Sequence, residues 1–259
     1  MVDRRLQRII YICFLISGAA GLIYEVVWAR QLSLFLGITT YANTAVITAY
    51  MAGLAAGSLV IGRLADRYGD SLRLYAWLEV GVGLYAATTP WLLTWMHAAY
   101  AGAAGSLGVT GTVSHLLRFA LALLLLLVPT FLMGGTLPLL VRGLTSSFPD
   151  LAGVTGRLYG INTLGATLGT WAAGYLLLPG FGVRSTIFLG VLMNLGVAAA
   201  ILALRRRIAP AEIATGKDDK PPSPSKRVRR TAPEGDVLSS TVARALLIGF
   251  TISGFGALV

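Results

Sequence analysis

The chain has 259 residues, of which 56% are hydrophobic and 12% charged, and it carries a formal net charge of +10. A soluble domain carries about 25% charged residues, so this composition, with a mean hydropathy of +0.74, excludes an ordinary soluble fold and indicates an integral membrane protein. The single cysteine, Cys13, excludes a disulfide framework and a multi-thiolate metal site; inside an apolar run it reads as a small buried residue.

Stretches of about 20 mostly apolar residues between polar breaks mark the spans. They fall at roughly 9–37, 42–65, 72–97, 113–142, 157–181 and 185–204, predicting an all-α polytopic fold with a six-helix bundle over 1–204. The first helix is too long for a cleaved signal peptide and continues through Trp28. It carries Glu25 and Arg30. A charge at bilayer depth costs roughly 2.5 kcal/mol or more unless it is paired or faces water, so each such residue is a candidate site. Glu25 follows Arg8 by about 25 Å of helix, at or beyond the midplane. Arg30 lies about 140° further around the helix, so the two do not pair within it. Glu25 is expected to meet another helix, either as a structural ion pair or as a substrate or proton site.

The second helix opens with Asn43 and Thr44, near the expected level of Glu25, and spaces Gly53 and Gly57 four apart, a small-residue face for close helix approach. The third carries Glu79, about 9 Å past Arg73 and therefore in the inner half of the bilayer. That depth separates it from Glu25, so the two read as separate anionic stations along one cavity, with helix packing as the competing role for Glu79. His97 and His115 flank the next loop and suit the headgroup level, not a metal site. Arg118 enters the fourth helix from the outer side and could bend inward towards Glu25. Pro129, Gly134, Gly135 and Pro138 predict a bend there, because proline frees a carbonyl. The fifth helix spaces Gly165 and Gly169 four apart and carries Asn162; the sixth carries Asn194. Both asparagines need partners in hydrocarbon, most simply across helices, with ligand contact as the competing role; Asn162 and Asn43 join Glu25, Arg30, Glu79 and Arg118 as substrate or ion-binding candidates.

Residues 205–241 are rich in Lys, Arg, Pro and Ser and lack apolar periodicity. They read as a disordered cytoplasmic linker, able to meet anionic lipid headgroups or to serve only as a solvated tether; no specific nucleic-acid partner is implied. A seventh helix begins at about 242. Its residues 244–259, RALLIGFTISGFGALV, align with 8–23, RIIYICFLISGAAGLI, at Arg, Phe, Ile-Ser-Gly and Leu. The segment reads as the truncated first helix of a second repeat, as in transporters built from two similar bundles. Arg4, Arg5, Arg8, Arg63, Arg67, Arg73, Arg142 and Arg157 fall on one side of this arrangement, whereas the alternate connections are almost free of positive charge. This bias predicts a cytoplasmic N-terminus in a cell inner membrane.

Several runs together carry a family resemblance: GLIYEVVWAR at 21–30, AYMAGLAAGS at 49–58, GRLADR at 62–67, MGGTLPLL at 133–140 and YGINTLGATLG at 159–169. In this order the chain resembles the membrane part of bacterial fused major-facilitator/spermidine-synthase proteins, over residues 8–204 and the restart. The stretch GRLADRYG also resembles the second-to-third loop motif of the major facilitator superfamily, at Gly62, Asp66, Arg67 and Gly69; Asp70 and Ser71 stand where that motif usually continues with basic residues. The resemblance implies a major-facilitator-like bundle handling a polyamine or another cation. It also implies an aminopropyltransferase-like domain elsewhere, since this chain has no parallel-sheet pattern, nucleotide loop, catalytic constellation or cofactor motif. A non-transporting membrane anchor or accessory subunit is the alternative. The partners implied are the lipid bilayer and a second repeat or another membrane subunit.

Overall fold

A computed structural model describes residues 4–37, 40–65, 67, 69–107, 111–145 and 150–215. The seventh helix from about 242 and most of the expected linker lie outside the described residues, as does Asp66. Among the described residues every regular element is helical: α1 Arg4–Leu36, α2 Thr40–Ala65, α3 Ser71–Leu107, α4 Gly111–Gly134, α5 Thr136–Leu144, α6 Leu151–Ala172 and α7 Leu178–Thr215, with a π-helical stretch Ala173–Leu177 joining the last two. Four segments are long and apolar enough to cross a membrane: Arg5–Leu36, Val46–Ala65, Gly111–Leu144 and Leu151–Arg206.

The breaks between helices follow from single residues. Gly37 ends α1 at φ +92°, the left-handed backbone that glycine adopts without steric cost. Gly182 (φ +73°, ψ +178°) interrupts α7 near its start, so the Leu151–Arg206 segment is divided into two helical stretches. Pro138 has no N–H to offer the carbonyl of Gly134. The helix accordingly closes at Gly134 with a tighter Gly135 N to Leu132 O bond of 3.2 Å and restarts as α5; the Thr136 hydroxyl satisfies the Met133 carbonyl at 2.7 Å. At Pro90 and Pro129 the helices continue unbroken.

Two boundaries differ from the sequence expectation. Helix α3 runs to Leu107 and not to 97, because the added stretch is rich in alanine, the strongest helix former. Helix α7 runs to Thr215, so Arg205 and Arg206 sit on helix and not on linker.

Helices α1 and α6, α2 and α4, and α3 and α7 form the main packed pairs, with α1 also against α7 and α3 against α4. Glycines set the first two. A Cβ at Gly165 or Gly169 would run into the backbone of Leu15 or Ala19, and one at Gly57 or Gly134 into that of Phe131 or Leu54. Backbones this close gain dispersion contact that lipid cannot replace. The buried core falls into two apolar clusters. One gathers Ile10, Phe14, Ile61, Tyr75, Leu139 and Leu158; the other gathers Trp28, Leu32, Phe35, Leu93, Leu126 and Ile187. On α1, α3 and α7 the seam between them is marked by Ser17, Glu79 and Asn194.

Candidate functional site

The polar groups at this seam are bonded to one another across three helices. Ser17 Oγ on α1 donates to Glu79 Oε1 on α3 at 2.6 Å, and Asn194 Nδ2 on α7 donates to Glu79 Oε2 at 2.6 Å. The Tyr24 hydroxyl donates to Asn194 Oδ1 at 2.9 Å, which fixes the direction of the amide. Glu79 is 1% exposed and Asn194 2%. Burying a carboxylate is costly unless every lone pair finds a partner, and two neutral donors supply part of that. The Tyr75 hydroxyl lies near the same carboxylate but is buried without a hydrogen-bond partner of its own.

The sequence builds this layer locally. Ser17 and Tyr24 are seven residues apart on α1, two helical turns, and so project on one face. From the arginine-bearing ends, Ser17 lies about 13 Å past Arg8, Glu79 about 9 Å past Arg73 and Asn194 about 16 Å before Arg205. These depths bring the three towards the middle of a hydrocarbon core about 30 Å thick.

Beside the carboxylate is a cavity of about 100 Å³, whose lining includes Ser17, Tyr50, Glu79, Thr136, Asn162 and Asn194, with Leu22, Leu54, Val82 and Met133 as its apolar wall. The Tyr50 hydroxyl donates to the Gly21 carbonyl at 3.3 Å. Asn162 reaches the cavity from α6, its backbone and side-chain oxygens set against Gly18, where a Cβ would not fit.

Of the candidates read from sequence, Glu79 and Asn162 meet in this cavity, and Glu25, Arg30 and Arg118 do not line it. Glu25 is half-buried further along α1, within electrostatic range of Tyr50; among the described residues no hydrogen bond or ion pair reaches it. Arg30 is exposed. Arg118 does not bend towards Glu25. Its Nη1 donates to the Phe35 carbonyl at 3.1 Å, and its guanidinium stacks 4.3 Å from the Tyr100 ring centre, a cation–π contact that holds the far end of the bundle. Asn43 belongs to α2, but its side chain lies outside the described residues.

In the loop motif, Gly62 packs on the Pro138 ring and Gly69 faces open space, while Arg67 N bonds Leu64 O at 2.9 Å. Asp70, the departure from the motif, has two structural roles. Its Oδ1 caps α3 by accepting from Arg73 N at 3.1 Å, and its Oδ2 pairs with Arg205 of α7. His97 bonds the Leu93 carbonyl at 2.7 Å through Nδ1. Among the described residues no group of His, Cys, Asp and Glu side chains is placed to hold a metal ion.

Sequence reading singled out Glu79, Asn162 and Asn194 but missed Ser17, Tyr24 and Tyr50 as members of one site. The signal available was the seven-residue spacing of Ser17 and Tyr24. Among the described residues the fold is helical, with several helices long and apolar enough to cross a membrane and a buried polar layer between them. No family model, curated protein or solved structure matches it.

Proposed function

We propose that this chain is one bundle of a transporter-like membrane protein of the major-facilitator kind, and that its cargo is held in the cavity at Glu79. The observation that carries the reading is a fully buried carboxylate, bonded from two other helices and facing a cavity between two apolar core clusters. An ionisable group at such depth marks a pathway more often than it marks packing. The parallel glycine contacts of α1 with α6 and of α2 with α4 leave flat, close surfaces on which a rocking bundle can slide. On this reading the chain corresponds to the membrane part of fused major-facilitator/spermidine-synthase proteins. A second bundle, from further sequence or another subunit, completes the pathway. The arginine-bearing end faces the cytoplasm, where basic residues of 205–241 meet anionic headgroups.

A non-transporting anchor is the second reading, favoured by one fact: both Glu79 oxygens already have donors within the chain. Cysteine accessibility separates the two. In a Cys13→Ser background, Leu22→Cys and Met133→Cys place single thiols on the cavity wall. A transporter that alternates its access exposes them to a membrane-impermeant thiol reagent from both faces, in right-side-out and inverted vesicles. Labelling from one face only, or from neither, would overturn the transport reading in favour of the anchor.

A further inference from the structure

From the chemistry of its wall, we infer that the Glu79 cavity binds a small primary alkylammonium ion, of the size of methylammonium or ethylammonium. The inference rests on the proposed site but not on transport through it.

The hydroxyl hydrogens around the cavity are already committed. Ser17 donates to Glu79, Tyr50 to the Gly21 carbonyl, and Thr136 to the Met133 carbonyl. Each oxygen keeps lone pairs. The Glu79 carboxylate has roughly four lone-pair positions, and Ser17 and Asn194 occupy two of them. What remains on offer is therefore chiefly acceptors, the Glu79 carboxylate among them, beside amide N–H groups of Asn162 and Asn194. Among the described residues no Arg or Lys pairs with Glu79, although it is 1% exposed. A buried carboxylate group without a counterion favours a ligand that brings one.

Size and polarity narrow the class. A cavity of about 100 Å³, somewhat smaller than the roughly 150 Å³ that accepts benzene in an engineered protein core, has room for a single ammonium head with one or two carbons. The carboxylate and hydroxyl oxygens suit the three N–H donors of such a head, while Leu22, Leu54, Val82 and Met133 receive the alkyl group. A bare alkali ion would leave that apolar wall unused, and a quaternary ammonium has no N–H to give.

The test is thermal unfolding of the purified full chain in detergent, titrated with methylammonium or ethylammonium chloride against sodium and tetramethylammonium chloride at equal ionic strength. A ligand that binds only the folded state, at about five times its Kd, should raise Tm by about 2–4 °C, saturably. Sodium and tetramethylammonium should give no saturable rise, and Glu79→Gln should abolish the methylammonium effect. Val82→Phe, which fills the cavity and leaves the carboxylate group, should abolish it too and keeps the test valid if Glu79→Gln does not fold. No saturable shift with either amine, an equal shift with sodium, or a shift that survives Val82→Phe overturns the inference. Two-sided labelling of the cavity thiols without an amine shift would sink this inference alone; an amine shift without such labelling would sink transport alone.

Discussion

Asn194 holds the polar layer together, because its amide gives a hydrogen to Glu79 and takes one from Tyr24. Replacing it leaves Glu79 and Tyr24 each short of a partner, whereas Tyr24→Phe leaves only the Asn194 carbonyl short of a donor. Tyr75 is the weaker case, a buried hydroxyl close to Glu79 but without a well-formed hydrogen bond, so its removal deletes little. Hydrogen bonds between membrane helices average about 0.6 kcal/mol and reach about 1.7, and a buried group left unsatisfied costs more. The expected order of destabilisation is therefore Asn194→Leu above about 2 kcal/mol, Tyr24→Phe near 1 kcal/mol, and Tyr75→Phe within about 0.5 kcal/mol of the parent. Thermal or denaturant unfolding of the three purified variants reads that order directly; a Tyr75→Phe loss as large as that of Asn194→Leu would show the layer to be arranged otherwise. Sequence made Glu79 legible as a candidate, since a carboxylate about 9 Å past Arg73 lies within the bilayer, but it left helix packing as an equal explanation. Its partners were not legible. Ser17 and Asn194 stand 62 and 115 residues away, and helical spacing fixes only neighbours within one helix. Glu25 was legible in the same way and is not in the layer: depth can be counted along a single helix, but which helix a side chain faces cannot.

Helix contacts repeat this division between what local pattern reveals and what packing decides. The four-residue glycine spacings on α2 and α6 announce close approach, yet only the fold shows that α2 meets α4 and α6 meets α1. The contact is also uneven along each helix. Gly165 faces the Leu15 carbonyl so closely that no Cβ fits, whereas Gly160, on the same helix, has nothing within 4 Å. Gly165→Ala must push α6 off α1 and is expected to cost about 1–3 kcal/mol, as overpacking does. Gly160→Ala should be neutral or stabilise by up to about 1 kcal/mol, since alanine is the better helix former. Comparing the two by unfolding of the purified chain controls for propensity, because the substitution is identical and only the neighbour differs; equal effects would refute the close α1–α6 contact. A bend in the fourth helix was legible in sequence from Pro129, Gly134, Gly135 and Pro138, but only the 134–138 stretch breaks it, and α4 runs unbroken through Pro129. The ends of α3 and α7 were less legible, since alanine and arginine continue a helix beyond the apolar stretch that marks a span.

At the scale of the whole molecule the two ends differ in charge as well as in packing. The starts of α1, α3 and α6 and the ends of α2, α5 and α7 carry Arg8, Arg73, Arg157, Arg63, Arg142 and Arg205, and Asp70 ties α3 to α7 there through Arg205. The opposite end is held by a different device, Arg118 against Phe35 and Tyr100, and among the described residues Arg30 and Arg184 are the other arginines towards that end. Arginine is retained on the cytoplasmic side during insertion, and the bias of short loops sets the orientation of the whole chain. Orientation cannot be read from packing, which would be the same in either sense, so charge alone carries this prediction. In a Cys13→Ser background, Ala101→Cys near the far end of α3 should react with an impermeant maleimide added to whole cells. Gly69→Cys, in the exposed loop between α2 and α3, should react only after the membrane is opened. Reversed labelling would place the Asp70–Arg205 pair outside the cell and remove the reason for expecting anionic inner-leaflet lipid at the end of α7. The expected pattern would instead set the Glu79 cavity nearer the cytoplasm than Glu25, since the two carboxylates lie about 9 Å and about 25 Å from the arginine-bearing end.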